Sequence, residues 1–192
     1  MNTRDVAPSL ETLFAELING APGANGYSYM LNSGDRGLLR SLDLLSASDV
    51  SARPTGGASI AAHVDHLRYG LSLMNRWAGG ENPFNDADWS KSWEITTVSD
   101  AEWSELRGAL KDECRRWIDV VRQPREMSTP ELHGVIGSIA HLAYHLGLRP
   151  RREFRLIAKL APGILPCEAP VNLHAGPMGA RCPCADLGAE QR

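Results

Sequence analysis

Apolar residues recur along this chain at spacings of three and four, and the strict alternation of a half-buried strand is almost absent. The pattern predicts an all-α protein. A short helix is expected over residues 9–17, ended by the Gly-, Pro- and Asn-rich loop 19–26. The next helix should start after Asp35, read as its N-cap, and carry Leu38, Leu39, Leu42 and Leu45 toward the core. Beyond the break Arg53-Pro54-Thr55-Gly56-Gly57, a long helix is expected from about 59 to 78. Its stripe is Ile60, Val64, Leu67, Leu71 and Met74. Gly79-Gly80 and Asn82-Pro83 end it and open a Trp- and Asp-rich loop reaching Thr97. Ser99-Asp100-Ala101-Glu102 is a capping box, starting a helix through Trp103, Leu106, Leu110, Trp117 and Val120. Thr129-Pro130 fits an N-cap and N1 proline for one more helix, which Gly147 closes as the C′ residue.

Counted this way, residues 32–147 hold four helices, and the expected architecture is an antiparallel four-helix bundle within a domain spanning 1–160. The link between the second and third helices is longer than most, and such loops often carry function. Residues 149–160 have the composition for a further helix, although Pro150 should interrupt it. From 161 to 192 Pro, Gly and Cys dominate and the periodicity fades, so a loosely ordered tail is expected there.

At 192 residues the chain suits one domain with a real core. A net charge of −3 without any dense run of Lys or Arg argues against a nucleic acid or an anionic membrane surface as the partner. Met1 to Pro8 lacks the cationic start and apolar run of a signal peptide, so a cytoplasmic location is expected. Four cysteines, three of them within the last 26 residues, do not resemble a disulfide framework.

The chemistry lies in the histidines. Residues 132–148 contain no Asp, Glu, Lys or Arg, yet carry His141 and His145 one helical turn apart. A helix apolar or small all round belongs in the middle of a domain, where imidazoles must find partners. The i, i+4 spacing points both rings the same way, which is how a helix offers two nitrogens to one metal ion. On a helical wheel they fall away from Leu132, Val135, Ile139 and Leu146. Gly134 and Ser138 lie beside them, small enough for a neighbouring helix to approach. The second helix supplies His63 and His66, three apart and neighbours on one surface. Three neutral imidazoles around one divalent ion, with a position left open, make a catalytic zinc site, and the same set suits nickel or iron. The alternative is that buried histidines donate to backbone carbonyls and only stabilise the bundle.

A family resemblance reaches the same residues. Ser59-Ile60-Ala61-Ala62-His63-Val64-Asp65-His66-Leu67 resembles the Ser-Ile to His-Leu stretch on the second helix of DinB/YfiT-like proteins. His141-Leu142-Ala143-Tyr144-His145-Leu146-Gly147 resembles that family's His-x-x-x-His-x-Gly ending on its fourth helix. The resemblance implies a four-helix bundle, often dimeric, with a divalent metal on three histidines. It also implies a small-molecule activity, since some members are S-transferases or isomerases using a low-molecular-weight thiol such as bacillithiol or mycothiol. Carried onto this chain it makes His66, His141 and His145 the metal ligands. Amphipathicity alone slightly prefers His63, which sits nearer the apolar stripe. The family's helix usually continues past His-Leu-Gly, whereas Leu148-Arg149-Pro150 should stop it here. A non-catalytic protein whose metal only pins the second helix to the fourth is the competing reading.

Weaker signals accompany these. Cys182-Pro183-Cys184 with Cys167 and His174 lacks the two to four intervening residues and the second pair of a structural zinc site. Cys114 lies mid-helix beside charges, with no helix N-terminus or paired histidine evident, and reads as structural. Trp77, Trp89 and Trp93 flank the long loop as core and lid packing, or as walls of a pocket. Asp65, Tyr144 and His63 are within helical reach of the ligands as partners for their second N–H groups. No Gly-x-Ser-x-Gly and no phosphate-cradling glycine loop after a strand is present.

Overall fold

The structure, a computed structural model, describes residues 2–23, 26–53 and 56–147. Among these the chain is all-α. Its helices are α1 (Ala7–Asn19), α2 (Gly37–Leu42), α3 (Ala47–Ser51), α4 (Ile60–Ala78), α5 (Asp100–Arg122) and α6 (Thr129–Gly147). Two 3₁₀ turns, Pro83–Asn85 and Lys91–Trp93, lie in the loop between α4 and α5. The long helices close a circuit of contacts, with α1 against α5 and α6, and α4 against the same two. Phe14 and Leu17 of α1, Val64 and Leu67 of α4, Leu110 and Trp117 of α5, and Val135 and Ile139 of α6 meet in one apolar core. No helix among the described residues is long and apolar enough to cross a membrane.

The single helix expected after Asp35 is instead two short ones. Asp35 does not cap α2; its carboxylate accepts from the Asn32 amide at 2.9 Å, and the N-cap position falls to Arg36 without a side-chain bond. The break between α2 and α3 is held from outside, because the Trp103 indole N–H donates to the Leu45 carbonyl at 2.8 Å. A capping box of Ser46 and Asp49 then starts α3. Neither short helix is long enough to span the bundle, so α1 completes the set of long helices. The N-terminal helix is therefore longer than predicted and integral to the core.

Its anchor is Glu16, a buried carboxylate that accepts from the consecutive amides of Tyr29, Met30 and Leu31 at 2.8 to 3.1 Å. Burial alone would raise its pKa, but those three donors hold it below the ordinary value. Pairing in this way pins the 26–36 loop to α1 without a second charge.

Three corrections concern α6. Ser128, not Thr129, caps it: Ser128 Oγ accepts from the Glu131 amide, and the Glu131 carboxylate accepts from the Ser128 amide at 2.7 Å. The charge-free helix is also not buried all round, since His133, Ile136, Gly137, Ala140 and Tyr144 are exposed. The helix packs on α1 and α4 from two sides, and absence of charge did not require burial on the remaining face. Gly147 is the last described helical residue rather than a C′ residue. The helix expected over 149–160, the tail 161–192 with its three cysteines, and the 160/161 boundary lie outside the described residues.

The small residues on α6 do let α4 come close. A Cβ at Gly134 would overlap the Trp77 ring and lie 3.1 Å from the Met74 methyl. Ser138 donates to the Val135 carbonyl at 2.7 Å and accepts the Trp117 indole N–H at 2.8 Å, tying α6 to α5 through a hydroxyl instead of bulk. Gly134→Ala should accordingly destabilise by about 1–3 kcal/mol, since overpacking outweighs the gain in helix propensity. Thermal denaturation checks this, and unchanged or raised stability would show that the Trp77 contact yields freely.

Candidate metal centre

The site is built by two helices and the turn between them in space. Ser59, 2% exposed, caps α4 by accepting from the Ala62 amide at 3.2 Å, which fixes where the helical register begins. Seven residues on, His66 is buried beside Asp65. On α6, His145 is buried and His141 half-buried. The nitrogens that His66, His141 and His145 can offer all lie within 4.8 Å of one another. Among the described residues these three form the group able to hold a metal ion.

Hydrogen bonds fix which nitrogen of His66 faces inward. Ser92 Oγ lies 3.0 Å from His66 Nδ1 and donates its proton to the Trp89 carbonyl at 2.8 Å. A hydroxyl has one proton, so Ser92 accepts from His66 Nδ1–H and leaves the Nε2 lone pair free to point elsewhere. That Nε2 is 3.1 Å from His141 Nε2. Nitrogens bound to zinc at about 2.0–2.1 Å, set 90 to 109° apart, would be separated by roughly 2.9–3.4 Å. The spacing thus suits two ligands of one ion, and the donor set suits a borderline divalent metal.

Electrostatics favour the protonation state a metal needs. Burial, reinforced by repulsion from His141 and His63, brings the His66 pKa down to about 4. Burial and the neighbouring His141, His66 and His63 bring His145 down to about 3, and burial lowers His141 as well. At neutral pH all three rings are uncharged and carry lone pairs.

An aromatic shell surrounds them. Trp93 stacks on His66 at a centroid distance of 4.2 Å and meets His63 edge-on at 5.1 Å. Trp89 packs on His66 at 5.5 Å, and Tyr144 meets His145 edge-on at 5.3 Å. Trp89, Trp93 and Tyr144 are all exposed, so this shell faces solvent. Three bonds tie the long loop to α4: Ser59 to the Ile95 carbonyl at 3.5 Å, His66 to Ser92, and the Asp88 amide to the Tyr69 hydroxyl at 3.0 Å.

A profile of the DinB superfamily matches residues 31–149 of this chain, well over half its length. The chain belongs to the DinB superfamily. The match begins after α1, although α1 is part of the packed core here. No curated protein and no solved structure matches the chain.

The matched region includes every histidine the superfamily resemblance singled out. The structure brings together His66, His141 and His145, while His63 lies outside that convergence. Amphipathicity pointed to His63 because it treats α4 as having one apolar stripe. The helix is in fact covered on two sides, by α5 and by α6 with the Lys91–Trp93 turn, so His66 is buried off the stripe. Of the expected partners, His63 reaches a converging ring, its Nδ1 lying 3.1 Å from His145 Nδ1. Asp65 instead pairs with Arg68 at 2.7 Å. Ser92 was not foreseen, because a 3₁₀ turn in a Trp-rich loop leaves no periodic trace. Trp77 packs on Phe84 and against Gly134 rather than beside the imidazoles. Cys114 is fully buried and its pKa is pushed up to about 12 by desolvation and by Glu113, so it is an inert structural thiol.

Proposed function

We propose that this DinB superfamily chain holds one divalent ion, zinc, nickel or iron, on His66, His141 and His145, and uses it in a thiol-dependent S-transfer or isomerisation of a small molecule. The observation that carries the reading is the convergence of three neutral imidazole nitrogens within 4.8 Å, beneath an aromatic shell open to solvent. Three protein ligands leave positions free, as a catalytic site needs and a closed structural site does not. When bound, such an ion supplies Lewis acidity, lowering the pKa of a coordinated thiol or water toward neutrality.

The residues of the chain contribute orientation and exclusion of water. Ser92 keeps the His66 lone pair aimed at the common point, and Trp93 covers the flat face of that ring. Trp89, Trp93 and Tyr144 offer exposed apolar surface beside the imidazoles, where a small organic substrate would lose part of its water shell. No Asp, Glu, Lys or Arg side chain of α6 lies between Leu132 and Gly147, so that wall presents no competing charge.

The test is a metal analysis joined to a thiol assay. Purified protein should carry about one divalent ion per chain. In a cobalt- or nickel-substituted sample, bacillithiol, mycothiol or glutathione should perturb the ligand-field spectrum. Conjugation of that thiol to a chloro-nitroarene should then require metal and vanish in His145→Ala. A spectrum indifferent to all three thiols, with the metal saturated by protein ligands, would favour the non-catalytic alternative in which the ion only joins α4 to α6.

A further inference from the structure

We infer that His63 is a positioning residue, which holds His145 in the Nδ1–H tautomer so that its Nε2 lone pair faces the metal. The inference rests on the three-histidine reading above and extends it to a fourth imidazole. His63 Nδ1 and His145 Nδ1 are 3.1 Å apart, a hydrogen-bond distance between two ring nitrogens. One of them must carry the proton and the other accept it. If His63 donated, His145 would be protonated on Nε2 and would have no lone pair left for an ion. If His145 donates, its Nε2 is the free base, the same arrangement Ser92 imposes on His66.

The placement of His63 fits this part better than that of a fourth ligand. It sits one turn before His66 on α4 and outside the group of converging nitrogens. Its ring meets the edge-on Trp93 at 5.1 Å, while Trp93 also stacks on His66. Trp93 therefore braces both the ligand His66 and the imidazole that orients His145. Ligating histidines characteristically give their second N–H to such an acceptor, and losing it weakens metal binding by about 10–100-fold without removing the site.

Two variants separate the acceptor from the packing. His63→Phe keeps a ring against Trp93 but has no acceptor, whereas His63→Asn places an amide oxygen near the position of Nδ1. Metal affinity, measured by competition with a chromogenic chelator using zinc alone, should fall about tenfold in His63→Phe with one ion still bound at saturation. His63→Asn should recover most of that loss. Nitrogen-15 imidazole spectra of the metal-free proteins should show His145 protonated on Nδ1 in wild type and in His63→Asn, and a mixed population in His63→Phe. Unchanged affinity and tautomer in His63→Phe would overturn the inference. So would loss of the ion in both variants as complete as in His66→Ala, which would make His63 a ligand. Because the tautomer is read without metal, failure of wild type to bind zinc would overturn the metal reading while still reporting on the His63–His145 bond.

Discussion

His66→Ala should bind metal on the order of 10²–10³-fold more weakly than wild type, while remaining helical. Zinc sites in small domains are worth about 10–16 kcal/mol shared among four ligands, so one imidazole accounts for roughly 2.5–4 kcal/mol of it. His141→Ala and His145→Ala should behave alike, since their nitrogens converge on the same point. His63→Ala should retain its ion at saturating metal, because His63 touches His145 rather than the common point. The measurement is elemental analysis after gel filtration, with the circular dichroism spectrum as control for folding. Stoichiometric metal in a His66/His141/His145 triple-alanine variant would place the ion elsewhere. Metal lost from His63→Ala but kept by His66→Ala would restore the register that amphipathicity preferred.

Part of this site is legible in the sequence. The His141–His145 pair on a charge-free helix has a physical reason visible in the residues, whereas His66 is reached through the family resemblance, because amphipathicity prefers His63. A four-residue step aligns His141 with His145 on one face, while the two turns from the Ser59 cap to the buried His66 are seen only in the structure. What could not be read was whatever depends on contacts distant in sequence. The break between α2 and α3 is stabilised by Trp103 reaching Leu45, 58 residues away. The place of α1 in the core rests on Glu16 binding the amides of Tyr29, Met30 and Leu31 across an irregular loop. Ser92 acquires its role only because a single 3₁₀ turn folds back onto α4. Helical periodicity records which face is apolar, and it is silent about a face covered by a loop.

The same burial that keeps the imidazoles neutral should make the metal-free protein sensitive to mild acid. In the unfolded chain His66 and His145 take up protons near pH 6.5. In the folded chain His66 does so only at about 4 and His145 at about 3. Between those limits the unfolded state binds more protons, so stability falls as pH falls, and the loss is complete once the folded pKa values are passed. Each neutral imidazole contributes up to about 1.4 kcal/mol per pH unit, so the pair should cost up to about 5 kcal/mol between pH 6.5 and 4.5. That is a large share of a typical domain's 5–15 kcal/mol. Glu16 works in a separate window. Its folded pKa lies below the usual carboxylate value, so its contribution is intact above about pH 4.5 and is lost only further into acid. Denaturant melts of chelator-treated protein from pH 7 to 4.5 therefore report on the imidazoles. His145→Gln, which cannot titrate there, should flatten the slope in part, His66 and His141 keeping the remainder. Saturating zinc should raise stability at pH 7 and be released across the same interval, because protons and metal compete for one set of lone pairs. A metal-free melt that is flat between pH 7 and 4.5 would mean that the cluster admits water and charge freely, and that its nitrogens are not held in the neutral form.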